Sequence, residues 1–223
     1  MDRATATREF VEDQVRVEAG PVTLEGNLGI PERAQGVVLF AHGSGSGRHS
    51  PRNRFVAQQL RAAGLGTLLI DLLSEQEEAV DQFTGHLRFD IGLLAERLVG
   101  ATDWLAEHRR TAGLSVGYFG ASTGGGAALV AAAQRPDQVG AVVSRGGRPD
   151  LAGDALPLVR APTLLIVGGD DGPVIGMNQE AYDQMSCERQ MVIVPHASHL
   201  FEEPGTLEEV ARLAAEWFTR HLA

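Results

Sequence analysis

The sequence predicts a single α/β domain built around a mostly parallel sheet. Short, continuous apolar runs recur along the chain, and segments with helical spacing lie between most of them. Strands that are buried on both faces have such uninterrupted apolar runs, and their alternation with helices is typical of a parallel sheet with helices on both faces. The 223 residues are enough for one such domain, so we assign residues 1–223 to it.

The first two predicted strands form a hairpin. Val15–Ala19 and Val22–Leu28 are separated by Gly20-Pro21, a turn sequence that favours an antiparallel pair. Six further apolar runs are predicted as buried strands, which makes about eight strands in all. In chain order they are Val37–Ala41, Gly66–Ile70, Leu114–Phe119, Val139–Val143, Thr163–Val167 and Met191–Val194.

The helices are predicted from their end signals and spacing. The first begins at Ser50-Pro51, a capping residue followed by proline in the first turn. The last begins at Thr206, because Glu209 completes the spacing of a capping box. Three helical segments lie between them: about Thr84–Arg110, the segment from Ser122 to near Pro136, and about Val174–Gln184.

Two other segments are interpreted from their charge and length. The acidic run Glu75–Asp81 is expected to be a solvated surface segment. Only Arg145–Arg160 could hold an inserted lid, and it is too short for a lid domain. An open site without a lid domain favours small substrates.

Composition excludes several classes of partner. The net charge is −10 with no basic run, so we expect neither nucleic acid nor an anionic membrane as a partner. The single cysteine, Cys187, excludes an internal disulfide and a cysteine-based metal site. No apolar run approaches the roughly 18 residues of a membrane span, and the first fifteen residues lack the apolar core of a signal peptide. We therefore expect a cytoplasmic protein, either a monomer or a homodimer.

The strongest functional signal is the pentapeptide Gly120–Gly124, GASTG, which follows a predicted strand and precedes a helix rich in small residues. This G-x-S-x-G pattern is typical of a nucleophile elbow, a tight turn that lifts the serine above the end of the sheet. The flanking glycines are needed because a side chain there would collide with the neighbouring backbone. Ser122 is therefore the candidate nucleophile, and the amide of Thr123 can stabilise negative charge beside it.

A serine nucleophile needs a base, and the base needs an orienting carboxylate. His196 and His199 follow the last predicted strand, while Asp170 and Asp171 follow the strand before it. All four lie at strand ends, where parallel α/β sheets bind their ligands. The chain order of serine, aspartate and histidine also matches that of elbow hydrolases.

The chain resembles the dienelactone hydrolase-like branch of the α/β-hydrolase family. Four stretches carry the resemblance: FAHGSGSGRHSPRN (Phe40–Asn53), GASTGGG (Gly120–Gly126), LLIVGGDDGPV (Leu164–Val174) and VPHASHLF (Val194–Phe201). It implies an α/β-hydrolase fold with an eight-stranded, mostly parallel sheet and helices on both faces.

The same resemblance selects the triad Ser122, Asp171 and His199. The family pattern G-x-x-D-x-x-V coincides with Asp171 rather than Asp170, and the family histidine directly precedes Leu-Phe, as His199 does. Dienelactone hydrolases proper have a cysteine at the elbow. Ser122 therefore favours an ordinary serine esterase over dienelactone specificity.

The glycine-rich loop after the third strand is expected to supply a second backbone donor to the oxyanion hole. Its position after His42-Gly43 makes the amide of Ser44 the candidate, and His42 itself is expected to be a buried structural residue. The loop lacks the Gly-Lys-Ser/Thr of a phosphate-binding P-loop, and its third glycine is one position early for a dinucleotide fingerprint. Asp71, at the end of the next strand, keeps a nucleotide-dependent oxidoreductase as a remote alternative.

Arginines near the expected site could hold a substrate carboxylate, because a guanidinium matches that group with two parallel hydrogen bonds. Arg48 and Arg145 are the candidates. No cofactor and no metal ion is implied.

The sequence thus predicts a serine hydrolase that cleaves small carboxylic esters, lactones or related acyl compounds through an acyl-enzyme. A non-catalytic ligand-binding protein on the same fold is one alternative, since a fold does not determine function. An acyltransferase or a perhydrolase with the same triad is another.

Overall fold

The computed structural model describes residues 12–223. These residues form one sheet of eight strands in the order β1-β2-β4-β3-β5-β6-β7-β8. The strands are β1 (Glu12–Ala19), β2 (Val22–Gly29), β3 (Gly36–Ala41), β4 (Gly66–Ile70), β5 (Ser115–Ala121), β6 (Val139–Arg145), β7 (Thr163–Gly168) and β8 (Arg189–Val194). β2 pairs antiparallel with both β1 and β4, and all other pairs are parallel. The predicted eight-stranded, mostly parallel sheet is confirmed.

Helices cover both faces of the sheet in the described part of the chain. They are α1 (Pro51–Ala62), α2 (Glu75–Thr84), α3 (Ile91–Glu107), α4 (Thr123–Gln134), α5 (Gly172–Gln184) and α6 (Thr206–Leu222), with 3-10 segments at Leu87–Phe89 and Pro149–Leu158. The apolar core has two layers. α3, α4 and α5 pack on one face, and α1 and α6 pack on the other. Every residue of β3, β4 and β7 is buried, as expected for central strands with helices on both sides.

The predicted start of α1 is confirmed, because Ser50 caps the helix by accepting a hydrogen bond from the backbone N–H of Asn53. The predicted start of the last helix at Thr206 is confirmed, but the predicted capping box does not form. Gly205 is the N-cap residue of α6, and the Thr206 hydroxyl donates to the Glu203 carbonyl instead of capping the helix. Gly205 has φ +84°, a backbone conformation that favours glycine. A glycine at the N-cap position has no side chain with which to form a capping box.

The acidic run Glu75–Asp81 is mostly exposed, as predicted, and it forms a helix, α2. Ser74 and Glu77 form a capping box at the start of α2, and this arrangement satisfies backbone groups at both positions. Asp81 is fully buried because its carboxylate is paired with Arg88. The following helix therefore begins at Ile91, not at about Thr84.

The last strand also differs from the prediction. β8 pairs only with β7 and so lies at the edge of the sheet, with Ile193 44% exposed. An apolar run here marks a half-exposed edge strand rather than one buried on both faces. None of the helices in residues 12–223 is long and apolar enough to cross a lipid bilayer. The segment that carried the signal-peptide prediction lies largely outside the described residues.

Candidate active site

Ser122 lies in a strained turn between β5 and α4. Its backbone has φ 51° and ψ −123°, a conformation that a residue with a side chain rarely adopts. The Ser122 carbonyl accepts hydrogen bonds from the backbone N–H groups of Gly125 and Arg148, both at 2.9 Å. These two bonds help to hold the turn. The geometry is that of a nucleophile elbow.

Close backbone contacts explain the glycines on either side of Ser122. A Cβ atom at Gly120 would lie 2.6 Å from the Gly124 carbonyl oxygen, and one at Gly124 would overlap the Ala41 carbonyl. No rotation of a side chain could relieve these contacts, because the neighbouring atoms belong to the backbone. The structure therefore brings β3, β5 and α4 closer together at the elbow than any side chain would permit.

The histidine and its carboxylate meet as predicted. Asp171 follows β7 and is the N-cap residue of α5, and its Oδ2 accepts a hydrogen bond from His199 Nδ1 at 2.7 Å. The two side chains are 13% and 39% exposed, so the pair lies at the edge of the solvent. Asp170 is exposed and its backbone N–H donates to the Ala197 carbonyl. His196 is exposed as well.

Ser122 and His199 lie against the same segment at the end of β6. The Ser122 N–H donates to the Arg145 carbonyl at 3.5 Å. A Cβ atom at the adjacent Gly146 would lie 3.0 Å from the His199 carbonyl oxygen and 3.7 Å from its Nδ1. In the described structure no hydrogen bond joins Ser122 Oγ to the imidazole, and such bonds often tighten only when substrate is bound.

Side chains hold the loop that carries His199. The Glu203 carboxylate accepts a hydrogen bond from the Ser198 N–H at 3.0 Å, and this bond lowers the pKa of Glu203. Phe201 is buried, with a positive φ of 56°, and its ring packs against the Gly146 backbone. The sequence analysis did not identify Glu203 or Phe201 as contributors. Only their position just after His199 could have suggested them.

The predicted oxyanion loop faces the elbow. The Ser44 N–H donates to Thr123 Oγ1 at 3.1 Å, so the backbone amide selected from the sequence points towards the residue after Ser122. The Thr123 side chain, whose hydroxyl the sequence analysis did not consider, is 4% exposed.

His42 orients this loop. Its Nε2 accepts a hydrogen bond from the Leu72 N–H, and its Nδ1 donates to the Gly43 carbonyl, each at 2.9 Å. Because the carbonyl of that peptide unit is held by His42, the Ser44 N–H of the same unit points the opposite way, towards Thr123. Burial lowers the pKa of His42 and keeps the imidazole neutral. His42 is therefore a structural residue, as predicted.

The two predicted arginines have different surroundings. The backbone N–H of Arg48 donates to Asp71 Oδ1 at 2.7 Å and its guanidinium pairs with Oδ2, so both carboxylate oxygens of Asp71 are occupied. Arg145 is 6% exposed, and the structure places no carboxylate against it among residues 12–223. Its Nη2 donates to Asn53 Oδ1 at 3.4 Å, and its guanidinium lies 5.7 Å from the centre of the Phe201 ring. Burial, together with the nearby positive charge of Arg52, lowers the pKa of Arg145 to about 10.

Comparison with known proteins identifies the family. Residues 29–151 match the family model described as "Putative esterase". The chain is similar to the crystal structure of a dienelactone hydrolase from Anabaena variabilis, with 66% sequence identity, a TM-score of 0.95, and coverage of 96% of this chain and 99% of that one. The chain belongs to the dienelactone hydrolase-like α/β-hydrolases. The predicted family and fold class are thereby confirmed.

Other relatives of the chain are more distant in sequence or longer. Est1E from Butyrivibrio proteoclasticus shares the fold, with 14% identity, a TM-score of 0.77, and coverage of 93% of this chain and 98% of that one. A protein of Mycobacterium tuberculosis named "Putative phosphoribosyl transferase" is 57% identical over 219 residues, which cover 98% of this chain and 48% of the relative. The chain thus spans about half the length of the curated relatives that it matches.

Proposed function

We propose that the chain is a serine hydrolase of small carboxylic esters or lactones. The observation that carries the proposal is the 2.7 Å hydrogen bond between Asp171 and His199, in a loop that lies beside the strained elbow of Ser122. A hydrolase of this family needs a nucleophile, a base and an orienting carboxylate, and these three residues supply the required groups.

In the proposed first half-reaction, Ser122 Oγ attacks the carbonyl carbon of the substrate as its proton passes to Nε2 of His199. The carbonyl π electrons move to the oxygen, which becomes the oxyanion. Asp171 holds the imidazole in the required tautomer and stabilises its charged form. When the tetrahedral intermediate collapses, the bond to the alcohol breaks, the imidazolium gives its proton to the leaving oxygen, and the acyl group stays on Ser122.

In the second half-reaction a water molecule takes the place of the alcohol. His199 removes its proton, the hydroxyl attacks the acyl carbon, and the Ser122 oxygen leaves with the proton from the imidazolium. The products are the carboxylic acid and the free enzyme. Activity should fall on acidification, because a protonated imidazole cannot act as a base.

The backbone amides of Thr123 and Ser44 are the proposed oxyanion donors. The Thr123 amide is the first after the nucleophile, at the N-terminus of α4, where the helix dipole favours negative charge. The Ser44 amide donates to Thr123 Oγ1 in the free protein. The substrate oxygen would share this donor or displace the hydroxyl from it.

Of the two candidate arginines, we favour Arg145 for a substrate carboxylate. Arg48 already has a carboxylate partner in Asp71, whereas among residues 12–223 the buried charge of Arg145 meets only an amide and a ring. A buried charge without a counterion is costly, so an anionic group that reached it would be stabilised. If Arg145→Ala leaves the selectivity between charged and neutral esters unchanged, this assignment is wrong.

A series of 4-nitrophenyl esters of increasing acyl length, assayed with the wild type and Ser122→Ala, tests the proposal. We expect turnover of at least the short esters by the wild type and none above background by the variant. Labelling by an organofluorophosphonate separates the hydrolase from a non-catalytic binding protein, because only an activated serine reacts. Product analysis with added alcohol or hydrogen peroxide distinguishes hydrolysis from acyl transfer or perhydrolysis.

The name of the mycobacterial relatives points to phosphoribosyl transfer. We infer that such an activity would belong to the half of those proteins that this chain does not match, because this chain, which aligns with the other half, carries the elbow and its partners. An assay of this chain with 5-phosphoribosyl diphosphate and a nucleobase should therefore show no transfer. Transfer by this chain alone would contradict the inference.

A further inference from the structure

An exposed aromatic cleft lies beside the proposed oxyanion loop. It has a volume of about 310 Å³, and its walls include Ser44, Gly45, Asp81, Phe83, Arg88 and Phe89. Phe83 is 91% exposed and Phe89 is 58% exposed. Large aromatic side chains are seldom left this exposed unless they contact another molecule.

The backbone that presents these rings is firmly held. α2 begins in the capping box of Ser74 and Glu77, and Glu77 also pairs with Arg97 on α3. At the other end, the buried carboxylate of Asp81 accepts hydrogen bonds from the Leu87 N–H at 2.6 Å and from Arg88 Nε at 2.5 Å. These contacts order the backbone between Phe83 and Phe89, and this backbone places both rings on the same cleft.

The cleft is linked to the proposed catalytic residues through Ser44. Ser44 forms part of its wall, and the Ser44 N–H donates to Thr123 Oγ1, next to the nucleophile. A Cβ atom at the preceding Gly43 would lie 3.0 Å from Ser122 Cβ. Through Ser44, a group bound in the cleft would therefore lie near the ester bond that Ser122 would attack.

The charge of the cleft favours a neutral group. Arg88 and Asp81 are the charged residues among its described lining, and they pair with each other. Beside this ion pair, the lining offers a ligand the rings of Phe83 and Phe89, the uncharged polar side chains of Gln82 and Thr84, and the Ser44-Gly45 segment. Removing apolar surface from water is favourable, and aromatic rings pack well on other rings or alkyl chains.

We propose that this cleft binds an apolar group of the substrate, so that the enzyme prefers esters with an aryl group or a medium-length alkyl chain. The proposal rests on the proposed esterase function. Phe83 and Phe89 would act on selectivity rather than on the chemical step. The occupant is the substrate rather than another protein, because the oxyanion loop itself forms one wall.

The first test measures kcat/KM for 4-nitrophenyl acetate and 4-nitrophenyl hexanoate. The variants are the double variant Phe83→Ala/Phe89→Ala and the matched control Leu158→Ala, which removes an apolar side chain that is 63% exposed in another segment. We expect the double variant to lose about tenfold or more in the ratio of hexanoate to acetate. The control should keep the wild-type ratio. An unchanged ratio in the double variant would overturn the proposal.

A binding measurement separates this proposal from the proposed function. Saturation-transfer NMR with methyl benzoate, on Ser122→Ala protein with and without the two phenylalanines, requires no turnover. Loss of the signal with Phe83 and Phe89 supports the cleft even if no ester is hydrolysed, whereas an undiminished signal contradicts it. Size-exclusion chromatography tests the alternative that a second copy of the chain covers the two rings. A wild-type dimer that the double variant converts to a monomer would assign the rings to a second copy of the chain and overturn the proposal.

Discussion

The elbow of Ser122 and the loop of His199 are built differently. At the elbow, glycine backbones of β5 and α4 pack directly on each other and on β3, and few side chains take part. The histidine loop also packs on a glycine, since a Cβ atom at Gly168 would lie 2.3 Å from the Ala197 carbonyl oxygen, but side chains add contacts there. Asp171 and Glu203 accept hydrogen bonds, and the buried ring of Phe201 packs on Gly146. The serine is thus positioned by backbone shape, and the histidine by backbone and side-chain contacts together.

Because of this difference, substitutions in the two regions should affect stability and activity to different extents. Backbone contacts cannot be adjusted by a change of rotamer, so added atoms at the elbow should destabilise the whole fold. Side-chain contacts in an outer loop can be lost while the sheet stays intact. Changes in the histidine loop should therefore lower activity more than stability.

The largest expected effect is on turnover. Ser122→Ala should lower kcat by about 10³-fold or more, while the free energy of unfolding changes by less than about 1 kcal/mol, since alanine leaves the elbow backbone unchanged. Ester hydrolysis and urea denaturation measure the two quantities. If Ser122→Ala were already unfolded without urea, the hydroxyl would be needed to form the elbow itself.

Gly124→Ala should have the largest effect on stability. Its Cβ would overlap the Ala41 carbonyl and lie 2.6 Å from the His42 carbonyl oxygen. We expect a loss of about 3 kcal/mol or more in the free energy of unfolding, measured by urea denaturation. A stable, active variant would contradict the description of the elbow as a backbone-packed turn.

The histidine loop is tested by Glu203→Ala, which removes the acceptor of the Ser198 N–H. A slight displacement of a catalytic group can be costly, so we expect kcat to fall by about tenfold with little change in thermal stability. Glu203→Gln, which keeps an acceptor, should restore much of the activity. Glu202→Ala is the control, because Glu202 pairs with Arg52 instead. Equal effects of the two alanine variants would refute the positioning role.

Through His42, the oxyanion loop should make the free energy of unfolding depend on pH, whereas the elbow should not. Burial lowers the pKa of folded His42 below its ordinary value of 6.5, so below that pH the unfolded chain binds a proton more readily than the folded protein does. The stabilisation is present above about pH 6.5 and is lost as the pH falls towards the lowered value, with a slope of at most about 1.4 kcal/mol per pH unit. Denaturation across this range should show a shallower slope for His42→Gln and the wild-type slope for His49→Gln. Identical slopes in all three proteins would exclude this linkage.

The smallest effect concerns a glycine with free space around it. Gly176 lies within α5, and a Cβ atom there would meet no other atom within 4 Å. Gly176→Ala should therefore stabilise the protein by about 0.5–1 kcal/mol, in contrast to Gly124→Ala. The pair of measurements shows whether the requirement for glycine is local to the elbow.

The sequence predicted best where a residue type is required by backbone geometry. The glycines around Ser122, the buried runs of β3 and β7, and the proline after Ser50 each have one main structural explanation. The choice of Asp171 and His199 needed the family pattern, because Asp170 and His196 offer the same chemical groups. The hydrogen bond that distinguishes them depends on how two loops approach each other.

Pairings between distant residues could not be predicted. α2 was missed because the burial of Asp81 depends on Arg88, and that of Glu77 partly on Arg97, so a run of acidic residues suggested solvent exposure. The capping box of α2 was nevertheless present in the sequence at Ser74 and Glu77. A similar spacing at Thr206 was misleading because the preceding Gly205 caps α6.

The backbone construction of the elbow has a consequence for how its chemistry can change. The shape of the turn depends on Gly120, Gly124 and the carbonyl of Ser122, and not on which atom the residue carries beyond its Cβ. A single base change in a serine codon can introduce cysteine. Oxygen and sulfur nucleophiles could therefore replace each other within a lineage without any rebuilding of the surrounding scaffold.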